Sequence, residues 1–240
     1  MKAFLINLDR EVDRLSAAST QLRIAGVGFE RFPAVSGKDL PIETRAKAYR
    51  HFRWWCAVGR PIREGEIGCA LSHYGVYRKM LSWNIPLACV FEDDVLIEGN
   101  LRSSLAEVEA FCDSDKPQVF LLSNHTKKRE SAHGIRRSCG DRHAESYVLT
   151  KAAASSLLKA NCPMAVPCDY WDRWAGSGVI ELYHVFPTIC RPNEADYASG
   201  TAPSGSFNVR NLPMLPFMFH KAKRLVGVCI DSFLLSMGIQ

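Results

Sequence analysis

Apolar residues fill most of positions 2–8, a run with the length and composition of a buried strand. Asp9 then stands where a helix N-cap is expected, with Glu11 and Asp13 favourable near the positive helix end. Val12, Leu15, Ala18, Leu22 and Ala25 recur at helical spacing, and Gly26 supplies the left-handed position that closes such a helix. Positions 28–35 predict a second strand and Ser36-Gly37-Lys38 a turn. Strand, helix, strand is the opening of an α/β fold with a mostly parallel sheet and flanking helices.

Positions 42–50 predict a short basic helix, whereas 51–65, with Trp54, Trp55 and Pro61, follow neither period. Ile67, Ala70, Leu71, Tyr74, Tyr77 and Leu81 line one face of a helix that must stop before Pro86. Positions 87–91 read as a strand, and Leu101, Leu105, Val108 and Phe111 as a helix face. Positions 119–122 read as another strand. The polar, basic stretch 125–143 predicts a long loop or hairpin. A strand at 145–149 follows, then an Ala-rich helix capped by Thr150. Positions 179–186 form a late strand, and 198–206 are rich in Ser, Gly and Pro. The expected division is one α/β unit over 1–205 and a basic, apolar segment over 206–240.

Composition supports a folded chain: 47% of the 240 residues are hydrophobic and 23% charged, enough to bury a real core. The nine cysteines are odd in number and scattered, with no C-x-x-C pair, so they predict free thiols and a reducing, cytoplasmic setting. The apolar start is too short for a signal peptide, and nowhere do about 18 apolar residues run together as a membrane span needs. A net charge of +5 favours an anionic partner such as a nucleotide or phosphorylated glycan and is too small to argue for nucleic acid.

The chemically loaded step is Cys89-Val90-Phe91-Glu92-Asp93-Asp94-Val95. Three acids in a row beside buried apolar residues cost stability unless a cation offsets them. Two carboxylates on the loop after a strand can hold Mn²⁺ or Mg²⁺, which grips a diphosphate. Ligands of open α/β sheets bind at that end of the strands. The same triplet also reads as a solvated acidic turn.

Its surroundings narrow the choice. Gly65-Glu66-Ile67-Gly68-Cys69-Ala70-Leu71-Ser72-His73 followed by Val90-Phe91-Glu92-Asp93-Asp94-Val95 resembles glycosyltransferase family 25, the lipopolysaccharide-type galactosyltransferases to which collagen galactosyltransferases are related. Ile6-Asn7-Leu8-Asp9-Arg10 with Arg14, Glu30-Arg31-Phe32-Pro33-Ala34-Val35-Ser36-Gly37, and Ser146-Tyr147-Val148-Leu149-Thr150-Lys151-Ala152-Ala153-Ala154 are similar to that family in the same order. The resemblance implies a GT-A-like fold over 1–205, a UDP-sugar donor (UDP-galactose first, UDP-glucose or UDP-N-acetylglucosamine otherwise), a divalent metal, and inversion at the anomeric carbon. It also implies a glycan or glycolipid acceptor. A member that only binds is the rival from another class.

The resemblance assigns the metal to Asp94, with Glu92 and Asp93 on the donor's ribose or sugar or sharing the metal. Asn7, Asp9, Arg10 and Arg14 fall where a GT-A fold holds the nucleoside, with Val35 and Gly37 similarly placed. Arg14 equally reads as a surface charge. Ser72 and His73 either bond the diphosphate or satisfy buried backbone. The general base must be a carboxylate outside the metal set. Asp169 matches an Asp of the family, with Asp172 in reserve and Asp141 and Glu145 as further candidates. Tyr170, Trp171 and Trp174 either stack on the acceptor or pack. His184 or His220 is the expected histidine at the metal. Cys139, His143, His125 and His133 have no usual zinc spacing. The basic loop Lys127, Lys128, Arg129, Arg136, Arg137 and Arg142 suits a phosphorylated acceptor or plain solvent. Lys221, Lys223 and Arg224 beside an apolar run suggest peripheral contact with an anionic inner membrane.

Overall fold

A computed structural model of the chain describes residues 1–123, 133–138, 140 and 142–193. Asp141, Cys139, His125, Lys127, Lys128, Arg129, His220 and the whole 206–240 segment lie outside the described residues. The elements are β1 (Lys2–Asn7), α1 (Val12–Ile24), β2 (Glu30–Pro33), α2 (Ile42–Lys47), α3 (His51–Val58), α4 (Glu64–Ser82), β3 (Leu87–Glu92) and β4 (Val95–Ile97). They continue with α5 (Leu101–Phe111), β5 (Gln118–Leu121), β6 (Gly134–Arg137), β7 (Ser146–Thr150), α6 (Lys151–Asn161), α7 (Trp171–Gly176), β8 (Glu181–Phe186) and β9 (Cys190–Pro192).

Seven strands form one sheet in the order β2-β1-β3-β7-β5-β8-β6, and β4 pairs with β9 in a second, two-stranded one. β2, β1 and β3 are mutually parallel, as are β5 and β8, whereas β7 and β6 run against their neighbours. Five of the seven strands therefore point one way, as a mostly parallel sheet requires, and β7, inserted between β3 and β5, and β6 at the edge run against them. That insertion has a consequence for the site. The start of β7 lies beside the end of β3, so Glu92 N–H donates to Glu145 O at 2.9 Å.

Period-two alternation divides the core into two layers. Phe4, Ile6, Ala88, Val90, Tyr147 and Leu149 face one side with α4 and α6 residues such as Tyr74, Tyr77 and Leu157. Ala3, Leu5, Cys89, Phe91 and Val148 face the other with Leu22 of α1 and Leu101 and Val108 of α5. Burial on both faces explains why these strands read as continuous apolar runs.

Local chemistry sets the ends. Thr150 caps α6 as expected, its hydroxyl accepting from Ala153 N–H at 3.1 Å. Gly26 takes φ +69° after α1. The helix itself begins at Val12, not at Asp9, with Glu11 as a cap residue that makes no side-chain cap bond. Asp9 pairs instead with Arg31, and Val12 is exposed. The unassigned stretch holds α3, whose Trp54 is buried and donates to Arg60 O at 2.9 Å before Gly59 closes it at φ +76°. The expected loop contains β6, an edge strand carrying the exposed Arg136 and Arg137, charges that suit an unpaired sheet edge. All described cysteines are free thiols. Among the described residues, no helix is long and apolar enough to cross a membrane.

Candidate active site

β1 and β3 lie side by side and parallel, with Ile6 opposite Glu92, so their ends deliver Asn7 and Asp93 to the same edge of the sheet. Asn7 is buried and donates through Nδ2 to Asp93 Oδ2 at 2.6 Å and to Glu11 O at 2.9 Å. Its Oδ1 accepts from Arg31 Nε at 3.0 Å. Asp94 O accepts from Asn193 N–H at 2.7 Å. The side chain of Gln21 brackets β4, donating to Val95 O and accepting from Ile97 N–H. The acidic turn is thus clamped from both sides and held as part of the fold.

The two aspartates converge on one cation. Arg14 Nη2 lies 2.6 Å from Asp93 Oδ1 and 3.0 Å from Asp94 Oδ2, which removes the surface-charge reading of Arg14. Asp94 Oδ1 is buried with no hydrogen-bond partner. Burial raises the Asp93 carboxyl above its ordinary pKa, against the Asn7 bond and Arg14. Burial, then the Glu92 charge, pushes Asp94 up to about 7, with Arg14 opposing. A buried carboxylate oxygen without a donor, beside a second carboxylate already aimed at a shared cation, is a fitting donor set for a hard divalent ion. Asp94 and Asp93 are the residues that would hold it.

Glu92 turns the other way. Its Oε1 accepts from His73 Nε2 at 2.8 Å and lies 3.7 Å from Cys69 Sγ. Burial raises the Glu92 carboxyl, but the His73 bond and charge outweigh it and lower the pKa. Burial depresses the His73 imidazole, and the Cys69 sulfur and the Glu92 carboxylate more than reverse this, to about 10. His73 Nδ1 is 2.7 Å from Tyr147 Oη.

The expected donor residues gather at this edge. Arg10 Nη1 donates to Ser36 Oγ at 3.2 Å, joining the loops after β1 and β2. Val35 N–H donates to Ser72 Oγ at 2.8 Å, and Ser72 donates to Gly68 O at 2.7 Å. Ser72 thereby ties the loop of Val35 and Gly37 to the backbone of α4. A Cβ on Gly37 would meet Glu64 O at 1.8 Å, and one on Gly68 would meet Val35 O at 2.4 Å. Both glycines permit that close approach.

Asp169 reaches the same neighbourhood. Its Oδ2 accepts from His143 N–H at 3.2 Å. Burial keeps its carboxyl above the ordinary value, and the Glu92 charge adds to this against the His143 N–H. Asp172 is engaged with Arg142 at 3.5 Å and with Arg173 N–H at 2.9 Å. Trp171 and Trp174 are core residues, Trp171 donating to His143 O at 2.8 Å, so for them packing is the reading that holds. Tyr170 lies under the Arg142 guanidinium at 3.9 Å. His184 is buried within β8, opposite Leu121, and not at the acidic turn.

Sequence reasoning missed Arg31, which braces Asn7 and Asp9, and the approach of Cys168 to Cys69 at 3.7 Å. It kept Glu145 only as a spare base, though Glu145 is buried at the end of the acid-bearing strand and helps raise Asp94. No spacing rule could reveal these, since each pairs residues from different elements.

The profile of glycosyltransferase family 25 (LPS biosynthesis protein) matches residues 1–171. The chain is 32% identical over 154 residues to the Lipooligosaccharide biosynthesis protein lic2B of Haemophilus influenzae, covering 54% of each chain. It is 33% identical over 101 residues to Procollagen galactosyltransferase 1-A of Xenopus laevis, 40% of this chain and 16% of that one. It is 36% identical over 64 residues to a human protein named Inactive glycosyltransferase 25 family member 3, 27% of this chain and 11% of that one. The chain thus spans between about a tenth and about half of these relatives' length. The matched residues 1–171 include every element from β1 through α6, and the chain belongs to glycosyltransferase family 25.

Proposed function

We propose that the chain is a metal-dependent, inverting glycosyltransferase of GT-A-like architecture that moves galactose from UDP-galactose to a sugar of a lipooligosaccharide or related glycan. The observation that carries the reading is the convergence of Asp93 and Asp94 on Arg14, with Asp94 Oδ1 buried and unpartnered. A bound Mn²⁺ or Mg²⁺ there would neutralise the diphosphate as UDP departs. Asn7 fixes the rotamer of Asp93, and Arg14 sets the spacing of the two carboxylates. Arg10, beside Ser36, offers a cation to the nucleotide at the mouth of the two loops. Asp169, held above the ordinary carboxylate pKa by burial, is the proposed base that takes the acceptor hydroxyl's proton. Galactose as the sugar and the glycolipid as acceptor rest on the names of two relatives, the lipooligosaccharide protein and the procollagen galactosyltransferase.

The test is UDP release from UDP-galactose with Mn²⁺ and a terminal-sugar acceptor, run beside UDP-glucose and UDP-N-acetylglucosamine. Turnover with galactose at least tenfold above the others supports the donor, and preference for another sugar replaces it. A protein that binds UDP with Mn²⁺ yet releases none from any donor would be a binding member of the family, which the human relative's name makes a real outcome. The proposal extends to the basic, apolar tail at 213–240 as a peripheral contact with the cytoplasmic face of an anionic membrane, tested by flotation on anionic vesicles with and without it.

A further inference from the structure

We propose that Cys69, His73, Cys168 and Glu92 form a binding site for one zinc-class divalent ion, distinct from the Asp93–Asp94 pair. Cys69 and His73 stand one helical turn apart on α4, so both project from one face. Cys168 comes to them from 99 residues away, and a ligand atom from each of the three lies within 4.8 Å of the other two. Glu92 Oε1 joins from the end of β3, 2.8 Å from His73 Nε2 and 3.7 Å from Cys69 Sγ.

The Cys69–Cys168 and Cys69–Glu92 separations match edges of a tetrahedron. With metal–sulfur bonds of about 2.3 Å and metal–nitrogen or –oxygen bonds of about 2.0 Å, tetrahedral geometry puts two sulfurs about 3.8 Å apart, sulfur and oxygen about 3.5 Å apart, and nitrogen and oxygen about 3.3 Å apart. The sulfurs are 3.7 Å apart here. The His73–Glu92 edge must open by about half an ångström, as a hydrogen bond gives way to ligation, and the Glu92 carboxylate must swing toward Cys168 to complete the set around the three grouped ligands. The outer shell is also present. His73 Nδ1 is 2.7 Å from Tyr147 Oη, which is 2.9 Å from Tyr77 Oη, an arrangement that fixes the ring and leaves Nε2 for the ion. Cys168 is buried while Cys69 is exposed, giving an ion a way in. Binding displaces to solvent the two thiol protons and the proton that His73 Nε2 donates to Glu92.

Softness separates the two sites. Two thiolates and an imidazole select a zinc-class ion, and the aspartates a hard one. A bound ion would tie α4 and the segment before α7 to Glu92, and so fix the strand end from which Asp93 and Asp94 project. The sequence hid the site because only Cys69-x-x-x-His73 is local.

The experiment is titration of the thiol-reduced, full-length protein with Co²⁺, read by absorption. One equivalent should produce a thiolate-to-cobalt band in the near ultraviolet and the intense visible bands of four-coordinate cobalt. Cys69→Ser and Cys168→Ser should each abolish the thiolate band or weaken binding at least tenfold, and Asp94→Asn should keep it. A band that survives in both cysteine variants, or that vanishes in Asp94→Asn, overturns the proposal. Should a cysteine variant fail to fold, the wild-type protein decides. Zn²⁺ should slow iodoacetamide alkylation of Cys69 at least tenfold by mass spectrometry, and an unchanged rate overturns the site.

Discussion

Asn7 Nδ2 donates to Asp93 Oδ2 at 2.6 Å, joining the end of the first strand to the acidic turn across 86 positions of sequence. The amide also bonds Glu11 O and accepts from Arg31, so it is saturated and buried. Asn7→Ala should leave these partners unpaired and cost about 1–3 kcal/mol in urea unfolding. Asn7→Asp should cost more, because it sets a second carboxylate against Asp93 where an N–H had been. Isothermal titration with UDP and Mn²⁺ should show weaker binding in both variants. Equal stability and affinity to wild type would remove Asn7 from the site's framework.

The pH dependence turns on Asp94. Its pKa in the folded state is raised to about 7, by burial first and by Glu92 next. A carboxyl unfolds to an ordinary value of about 3.9, so the folded state keeps a proton that the unfolded state loses. This contribution to stability is full below about pH 4 and is lost as pH rises through about 7. Thermal unfolding in chelator should therefore fall in temperature across that window, and Asp94→Asn should flatten the fall and stabilise the protein at pH 8 on the order of 1 kcal/mol. Mn²⁺ affinity should move oppositely, tightening as pH climbs through 7 because the ion competes with the proton.

Gly68 tests the fastening of the donor loop. A methyl there would sit 2.4 Å from Val35 O and 2.7 Å from Gly37 N, both backbone atoms that cannot swing aside. Gly68→Ala should shift the loop of Val35 and Gly37 and cost about 1–3 kcal/mol or more. Ser72→Ala should act on the same contact more gently, leaving Val35 N–H without its acceptor for about 1–3 kcal/mol. Chemical denaturation of the two variants checks the order.

What was legible in the sequence follows from what each residue answers to. Strands such as β1 and β3 are buried on both faces, so their apolar runs stand out, and Thr150 satisfies a local cap whose geometry needs only its own helix. The acidic turn showed because burying three acids is costly anywhere. Asp9 misled because its carboxylate has a stronger offer from Arg31 than from the helix N-terminus. α3 was hidden since its only buried residue is Trp54, too few to set a period. The antiparallel course of β7 cannot be read from its own five buried residues, because a strand covered on both faces looks alike in either direction. In the site, Asn7, Asp93 and Asp94 were legible by type, whereas Glu92 belongs to His73 and Cys69 by packing alone.

Asp169 carries the assignment of the base, and its environment gives that assignment a specific signature. The carboxyl is pushed up by burial while its Oδ2 still accepts from His143 N–H at 3.2 Å. Asp172 lacks that independence, since Arg142 and the Arg173 N–H engage its oxygens. Asp169→Asn preserves shape and can still accept from His143, so UDP affinity with Mn²⁺ should stay within about twofold of wild type, while kcat falls by roughly 10²–10⁴ as expected for loss of general-base help. Asp172→Asn should lose far less. Because Asp169 is basic only when ionised, the wild-type rate should rise with pH through a carboxyl titration displaced above the ordinary range, and the variant's residual rate should not follow it. Stopped-time assays of UDP release across pH 5–8 measure both, and retained kcat in Asp169→Asn would move the base to Glu145, the buried residue whose backbone carbonyl accepts from Glu92 N–H.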